Sequence, residues 1–198
     1  MPPPPDSRRI RLDDWLHPLD PAAHWADASR PFEVDVGCGK GRFLLARAAA
    51  FPATNFLGID RLLGRLNKID RKARRRGLPN LRLLRMDAYY AVTYLLPRAA
   101  VDVAYIFFPD PWPKARHHDH RLFNPVFLDG LHAVLKPGGA VHAATDHGPY
   151  FEEIAAILRT DARFREIPPF VPAEEERTDF ELLFHGVQAI HRCSFAKR

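Results

Sequence analysis

From Phe32 onward, short apolar blocks alternate with longer stretches of helical spacing. The blocks at 32–36, 55–59, 81–86, 101–107 and 140–144 have the length and composition of strands, and 101–107 is apolar enough for a strand buried on both faces. Between them, 41–51 is apolar and alanine-rich, 61–76 is basic and closed by Gly77 and Pro79, 123–135 is stopped by Pro137-Gly138-Gly139, and 150–159 follows the last of these strands. These four segments are predicted helices. The tail at 182–195 supplies one or two final strands. Residues 1–30 lack periodicity and are predicted to be an irregular N-terminal arm, leaving 31–198 as one domain. Strands that alternate with helices at this spacing imply an α/β fold built on a mostly parallel sheet with helices on both faces.

In such sheets, ligands sit outside the carboxyl ends of the strands. Asp60, Asp87, Asp110 and Asp146 each fall at or just beyond such an end, and Asp35 lies within the first strand, just before its loop. Any one of them could simply cap a helix or favour a turn. Together they exceed what packing requires and mark one edge of the sheet as the site.

The loop Asp35-Val36-Gly37-Cys38-Gly39-Lys40-Gly41 leaves the first strand and opens the first helix. Its glycines permit a sharp turn and close approach to a ligand, and the helix start offers free N–H groups. Asp60 lies about 20 positions on, as expected of an acid that holds ribose hydroxyls. Two cofactors compete for this loop. A dinucleotide motif would place its third glycine at Arg42, whereas the spacing here is Gly-x-Gly-x-Gly with an acid in front, which resembles the first motif of Rossmann-like methyltransferases. Asp35 would repel a pyrophosphate and attract the α-amino group of S-adenosylmethionine. Met86-Asp87-Ala88 after the third strand suits the same class, with Asp87 placed for an adenine amino group or as a helix cap.

After the fourth strand the chain reads Phe107-Phe108-Pro109-Asp110-Pro111-Trp112-Pro113-Lys114, followed by Arg116, His117, His118, His120 and Arg121. Three prolines stiffen the segment and fix Asp110 and Trp112 at the sheet edge. A rigid carboxylate, an aromatic ring and a basic run suit an extruded base and its phosphates. The rival for the histidines is a metal, but their spacing fits no regular element and the neighbouring cations disfavour one.

Charge changes this picture most in the 61–76 helix. Arg61, Arg65, Lys68, Lys72 and Arg75 step by four and three, placing five cations on one helical face. A solvated face is the bland alternative, yet like charges at this spacing repel, so the arrangement points to RNA backbone contact. The net charge of +5 agrees with a polyanionic partner. Two isolated cysteines, Cys38 and Cys193, exclude a disulfide scaffold and a cysteine zinc site, and are expected to be small buried residues. No run of about 18 apolar residues suggests a membrane span. A soluble cytoplasmic protein is expected.

Here a specific resemblance enters. Phe108 to Lys114 with Arg116-His117-His118 resembles the signature of the bacterial tRNA (guanine-N7-)-methyltransferase family. Further pieces follow in family order: Phe56-Leu57-Gly58-Ile59-Asp60, Gly77-Leu78-Pro79-Asn80, Leu135-Lys136-Pro137-Gly138-Gly139, Ala144-Thr145-Asp146 and Thr178-Asp179-Phe180-Glu181. The resemblance implies a Rossmann-like methyltransferase fold, with a seven-stranded sheet and an antiparallel strand near the C-terminus. It implies methyl transfer from S-adenosylmethionine to N7 of a guanine in the variable loop of tRNA.

Cofactor contacts are then expected at Asp35, Gly37, Gly39, Gly41, Asp60, Asp87, Ala88 and Asp110, with Asp110 also the catalytic carboxylate. Substrate contacts are expected at Lys114, Arg116, His117, Asp146, Thr178, Asp179, Phe180 and Glu181, with Asp146 and Glu181 reading guanine's donor edge. RNA backbone contacts are expected at Arg61, Arg65, Lys68, Lys72, Arg75 and Arg121, and no metal is expected. The family's usual glutamates stand here as the shorter Asp35 and Asp60. The competing functions are a methyltransferase with another acceptor, a non-enzymatic RNA-binding module and a dinucleotide enzyme.

Overall fold

Strand β2 (Phe32–Val36) is buried along its whole length, with Val34 and Val36 on one face and Glu33 and Asp35 on the other. The computed structural model, which describes residues 6–183 and 189–198, places this strand at the centre of one sheet. Its neighbours are β3 (Asn55–Asp60) and β5 (Val101–Phe107), both parallel to it. With β1 (Arg9–Ile10), β4 (Leu81–Arg85), β6 (Leu135–Thr145), β7 (Phe164–Ile167) and β8 (His191–Lys197), the order is β1-β4-β3-β2-β5-β6-β8-β7. β8 runs antiparallel to both β6 and β7.

The seven strands from β2 to β8 form the expected sheet, and β1 adds an eighth at the β4 edge. β1 comes from the segment expected to be irregular. Residues 6–30 in fact join the fold: Leu19 and Trp25 are core residues, and the Trp25 indole donates to the Asn80 carbonyl at 3.0 Å. Of the 182–195 tail, residues 184–188 lie outside the described residues, 182 and 183 end a helix, and the final strand starts at His191.

Two apolar layers hold helices to the two faces. Leu44, Leu45 and Ala48 of α1 (Arg42–Ala50) and Leu66, Ile69 and Ala73 of α2 (Leu63–Arg75) pack on Phe56, Leu81 and Leu83. On the other face α3 (Ala88–Tyr90), continued by a π turn at Ala91–Leu95, joins α4 (Pro125–Val134) and α5 (Gly148–Thr160) over Val34, Ile59, Ala104 and Val141. Cys38 and Cys193 are both buried and unpaired. Among the described residues, no helix is long and apolar enough to cross a membrane.

Helix α2 is amphipathic, with a twist. Its inner face buries Asp70, which accepts the Arg8 amide at 2.7 Å and pairs with Arg74 at 3.3 Å, tying the arm to the helix. The helix begins at Leu63, because the Asp60 side chain accepts the Leu62 amide at 2.7 Å and leaves Arg61 outside it.

Behind β2 lies a buried ionic cluster. Arg47 of α1 donates to Glu33 at 3.1 Å, to the Tyr105 hydroxyl at 3.0 Å and to Glu176 at 3.4 Å, while that hydroxyl donates to Glu33 at 2.9 Å. Glu176 belongs to a strap, residues 168–177, that crosses back over β6 and β5. Within it, Phe170 stacks on His142 at 4.9 Å and its amide donates to Ser194 Oγ at 2.9 Å. The same Ser194 Oγ is hydrogen-bonded to His142 Nδ1, 2.7 Å away. Burial, reinforced by the Arg47 charge, pushes the His142 pKa down to about 4, so the ring stays neutral.

Removing the Arg47 charge would leave two buried carboxylates without a counter-ion. Arg47→Met is expected to lower stability by about 3 kcal/mol, read as a fall in the urea midpoint at constant m-value. Adding Glu33→Gln should recover part of the loss, and a midpoint unchanged in the single variant would remove the cluster from the fold's support.

Candidate active site

The strand order reverses between β2 and β5, where open α/β sheets form a crevice at their carboxyl ends. A cleft of about 760 Å³ opens there. One wall carries Val36, Gly37 and Asp60; the floor continues through Met86, Asp87 and Ala88; and the opposite wall is Phe107 to Asp110 with Trp112. Leu62, Tyr89 and Asn124 also line it, and sequence reasoning does not single them out. Leu62 and Tyr89 lie within two residues of an expected acid, and that proximity is their only signal in the sequence.

The glycine loop shows what ligand it is built for. Gly37 and Gly39 have φ of 84° and 56°, and a side chain on Gly37 would meet nothing within 4 Å. Gly41 differs: at φ 75° a Cβ would meet Ile69 at 2.6 Å, so this glycine lets α1 sit against α2. The loop amides turn inward. Gly37 and Cys38 both donate to the Ile59 carbonyl at 2.9 Å, Gly39 donates to Asp60 at 3.1 Å, and Gly41 donates to the Cys38 carbonyl at 2.9 Å. The four amides engaged in this way are not offered to a pyrophosphate, which weakens the case for a dinucleotide.

Asp35 is 4% exposed and has no hydrogen-bond donor or cation among the described residues. Burial, then the nearby Asp60 charge, push its pKa up to about 7. A buried acid without a partner, under a turn of open glycines, fits a ligand that brings its own cation, as the ammonium of S-adenosylmethionine does. Asp60 is buried, faces the cleft and is braced by the Gly39 and Leu62 amides and by Arg65 at 3.4 Å. A carboxylate has about four acceptor sites, so ribose hydroxyls can still be served. Asp87 caps α3 by accepting the Tyr90 amide at 3.1 Å and also faces the cleft beside Ala88, so capping and adenine contact are compatible.

Asp110 stands on a strained turn. Phe108 and Trp112 have φ of 53° and 43°, conformations that cost a non-glycine residue about 1–2 kcal/mol each. Asp110 is exposed into the cleft and has no hydrogen-bond partner among the described residues. His117 and His120 pack their rings on Trp112 at 5.8 and 5.0 Å, and Arg116 donates to His117 at 3.3 Å. Lys114 and Arg116 are exposed beside them.

Several expected contacts are placed differently. Glu181 is 3% exposed: it accepts the Thr178 amide at 2.6 Å and pairs with Arg192 at 2.5 Å, while the Thr178 hydroxyl accepts the Glu181 amide at 3.1 Å. This reciprocal pair is a capping box for α6 (Asp179–Leu183), and with Arg192 it engages both Glu181 oxygens within the protein. Asp179 is half-buried at the start of α6, and the exposed Phe180 packs on Phe108 at 4.7 Å. Asp146 lies half-buried just past β6, with no partner among the described residues, and remains the candidate for the donor edge. Arg121, expected on RNA, is 5% exposed and turned inward, though it still borders the cleft. Arg65 serves Asp60, and Arg61 lies 3.7 Å from Asp87. Lys68, Lys72 and Arg75 are exposed on α2, unpaired among the described residues.

A reversed-order parallel sheet with one antiparallel strand, an inward-turned glycine loop and carboxylates at three successive strand ends define a Rossmann-like methyltransferase. Residues 29–181 match a family model described as a putative methyltransferase. The chain is 39% identical over 175 residues to the tRNA (guanine-N(7)-)-methyltransferase of Nitrosococcus oceani, covering 87% of this chain and 73% of that one. It is 41% identical over 149 residues to the protein of the same name from Nocardia farcinica, covering 75% of this chain and 55% of that relative. The chain belongs to the tRNA (guanine-N(7)-)-methyltransferase family. Among solved structures, a 16S rRNA (adenine(1408)-N(1))-methyltransferase from Catenulisporales acidiphilia is similar in fold, with a TM-score of 0.64 at 22% identity over 94% of this chain and 95% of that one. The 16S rRNA methyltransferase KamB gives 0.64 at 20% identity, over 84% and 87%.

The Asp35 site carries a pH signature. The carboxyl is protonated below about pH 7, and a cationic ligand needs it ionised. Affinity for S-adenosylhomocysteine is therefore expected to rise up to tenfold per pH unit below about pH 7 and to flatten above it. The unliganded protein has the opposite slope: the fold keeps a proton that the unfolded chain releases near pH 4, so this group lowers stability as pH rises from about 4 to 7. Calorimetric titrations between pH 5.5 and 8.5 test this, and a flat affinity, or the same slope in Asp35→Asn, would contradict it.

Proposed function

We propose that this chain transfers a methyl group from S-adenosylmethionine to N7 of a guanine in the variable loop of tRNA. The observation that carries the reading is the facing of two features across one cleft: Gly37 of the glycine turn with Asp60, and the strained Phe108–Trp112 turn that presents Asp110. Asp35, without a partner among the described residues, lies buried two residues before that glycine turn. Asp35, Asp60 and Asp87 would hold the cofactor's amino group, ribose and adenine respectively. When bound, the cofactor supplies an activated methyl on a sulfonium.

The protein's own work is positioning. Guanine N7 carries a lone pair and no proton, so no general base is needed. Holding the base in line with the methyl donor supplies most of the rate. The product ring gains positive charge, and a rigid carboxylate at Asp110 stabilises that charge as it develops. Trp112 offers a flat wall for an extruded base, and Asp146 an acceptor for its donor edge. Lys114, Arg116 and His117 lie beside this turn for the flanking phosphates. A tRNA acceptor puts the work in the cytoplasm.

Asp110→Ala is expected to lower turnover at least 100-fold while S-adenosylhomocysteine affinity stays within a few fold. The assay is labelled methyl transfer to unmodified tRNA followed by nucleoside analysis. Normal turnover in the variant would remove Asp110 from catalysis, and label in a product other than 7-methylguanosine would redirect the acceptor.

Lys68, Lys72 and Arg75 are the part of the basic helix left for RNA backbone. Their combined replacement by alanine should weaken tRNA binding and reduce its salt slope by about one for each phosphate no longer neutralised. An unchanged slope would make α2 a solvated face.

A further inference from the structure

Arg121 is the most fully occupied cation beside the cleft. Its Nε donates to the Pro111 carbonyl at 2.8 Å and its Nη2 to the Trp112 carbonyl at 3.4 Å. Its Nη1 pairs with Glu153 of α5, and the guanidinium lies 4.9 Å from the centre of the Tyr150 ring. Tyr150 is completely buried, while the Glu153 side chain is 51% exposed. The arginine therefore ties the backbone on the far side of Asp110 to a helix of the core.

The turn has little means of holding itself. Pro109, Pro111 and Pro113 have no N–H, and among the described residues no amide from Pro109 to Lys114 donates to a backbone carbonyl. The last internal anchor before the turn is the Phe108 amide on the Ala144 carbonyl at 2.7 Å. Beyond it, the left-handed backbone at Trp112 persists only if something outside the turn fixes it. A guanidinium presents its donors in a rigid plane and can serve two adjacent carbonyls and a carboxylate at once; a lysine ammonium cannot hold that geometry.

We propose that Arg121 is a positioning residue: with Glu153 as its outer strut, it holds the Pro111–Trp112 backbone so that Asp110 and Trp112 meet the acceptor base in register. This rests on the role given to Asp110 above. Arg121 itself touches neither RNA nor cofactor, and its effect reaches the chemistry through the turn.

The test uses Arg121→Lys, Arg121→Gln and Glu153→Gln in the full chain. Turnover on unmodified tRNA, S-adenosylhomocysteine affinity, the salt slope of tRNA binding, and acrylamide quenching of Trp112 with Trp15 replaced by Phe are measured for each. Both arginine variants are expected to lose about 100-fold in kcat, the scale of a misplaced reacting group. Cofactor affinity should stay within about threefold, the salt slope should not change, and Trp112 should become more open to quencher. Glu153→Gln should lose about tenfold in kcat with the same quenching change.

A salt slope lowered by about one, with kcat restored at saturating tRNA, would make Arg121 an RNA contact and overturn the proposal. So would unchanged kcat and quenching in the arginine variants. If those variants do not fold, Glu153→Gln decides, since its side chain is half exposed: wild-type kcat and quenching there would overturn the strut. A wild-type chain that labels some nucleoside other than 7-methylguanosine would overturn the acceptor assignment alone, leaving the quenching and cofactor readouts to judge Arg121.

Discussion

A carboxyl group buried at the centre of a sheet, with no cation of its own among the described residues, is the constraint around which this fold is arranged. Asp35 could be stabilised by one nearby lysine, yet the surrounding positions supply glycine turns, a second acid and amides aimed elsewhere. Such a group is costly to ionise when the site is empty. That cost is what makes the site selective: a ligand with a positive end relieves it, and one with a negative end worsens it. The inward amides of the loop make the same choice by withholding donors from an anion.

The two sides of the cleft are stiffened in different ways. The Asp35 side is backed by α1 and by the Arg47 cluster, which joins β2, β5 and the 168–177 strap through buried charge. The Asp110 side is made of prolines that remove the chain's own hydrogen bonds, so its shape is imposed from α5 and β6. Packing sets one wall and polar clamps set the other. The acceptor side is accordingly the more sensitive to single polar substitutions outside the cleft.

Much of this is legible in the sequence. Strands 32–36 and 101–107 match their apolar blocks to the residue, and the Gly-x-Gly-x-Gly spacing with Asp35 separates two cofactor classes. The sequence is less able to say which partner a charged residue takes. Glu181 and Thr178 read as substrate contacts, although their three-residue spacing is equally that of a capping box. Arg121 reads as one more cation in a basic run, because nothing local reveals Glu153 thirty-two positions on. Arg65 and Arg61 step regularly with the helix, yet the acids across the strand ends claim them. Strands β1 and β7 are too short for periodicity to register, and the arm's place in the core rests on single residues, Leu19 and Trp25.

The two-residue strand β1 has a further consequence. It occupies the open side of β4, whose amides and carbonyls would otherwise face solvent as a ready template for another extended chain. The strand is too short to recruit a partner itself, and the arm that carries it is fastened at Asp70 on α2 and at Asn80 beside the sheet. The arm thus works as a selvage: it finishes this edge of the weave, so that β4 is not left open to a neighbouring molecule.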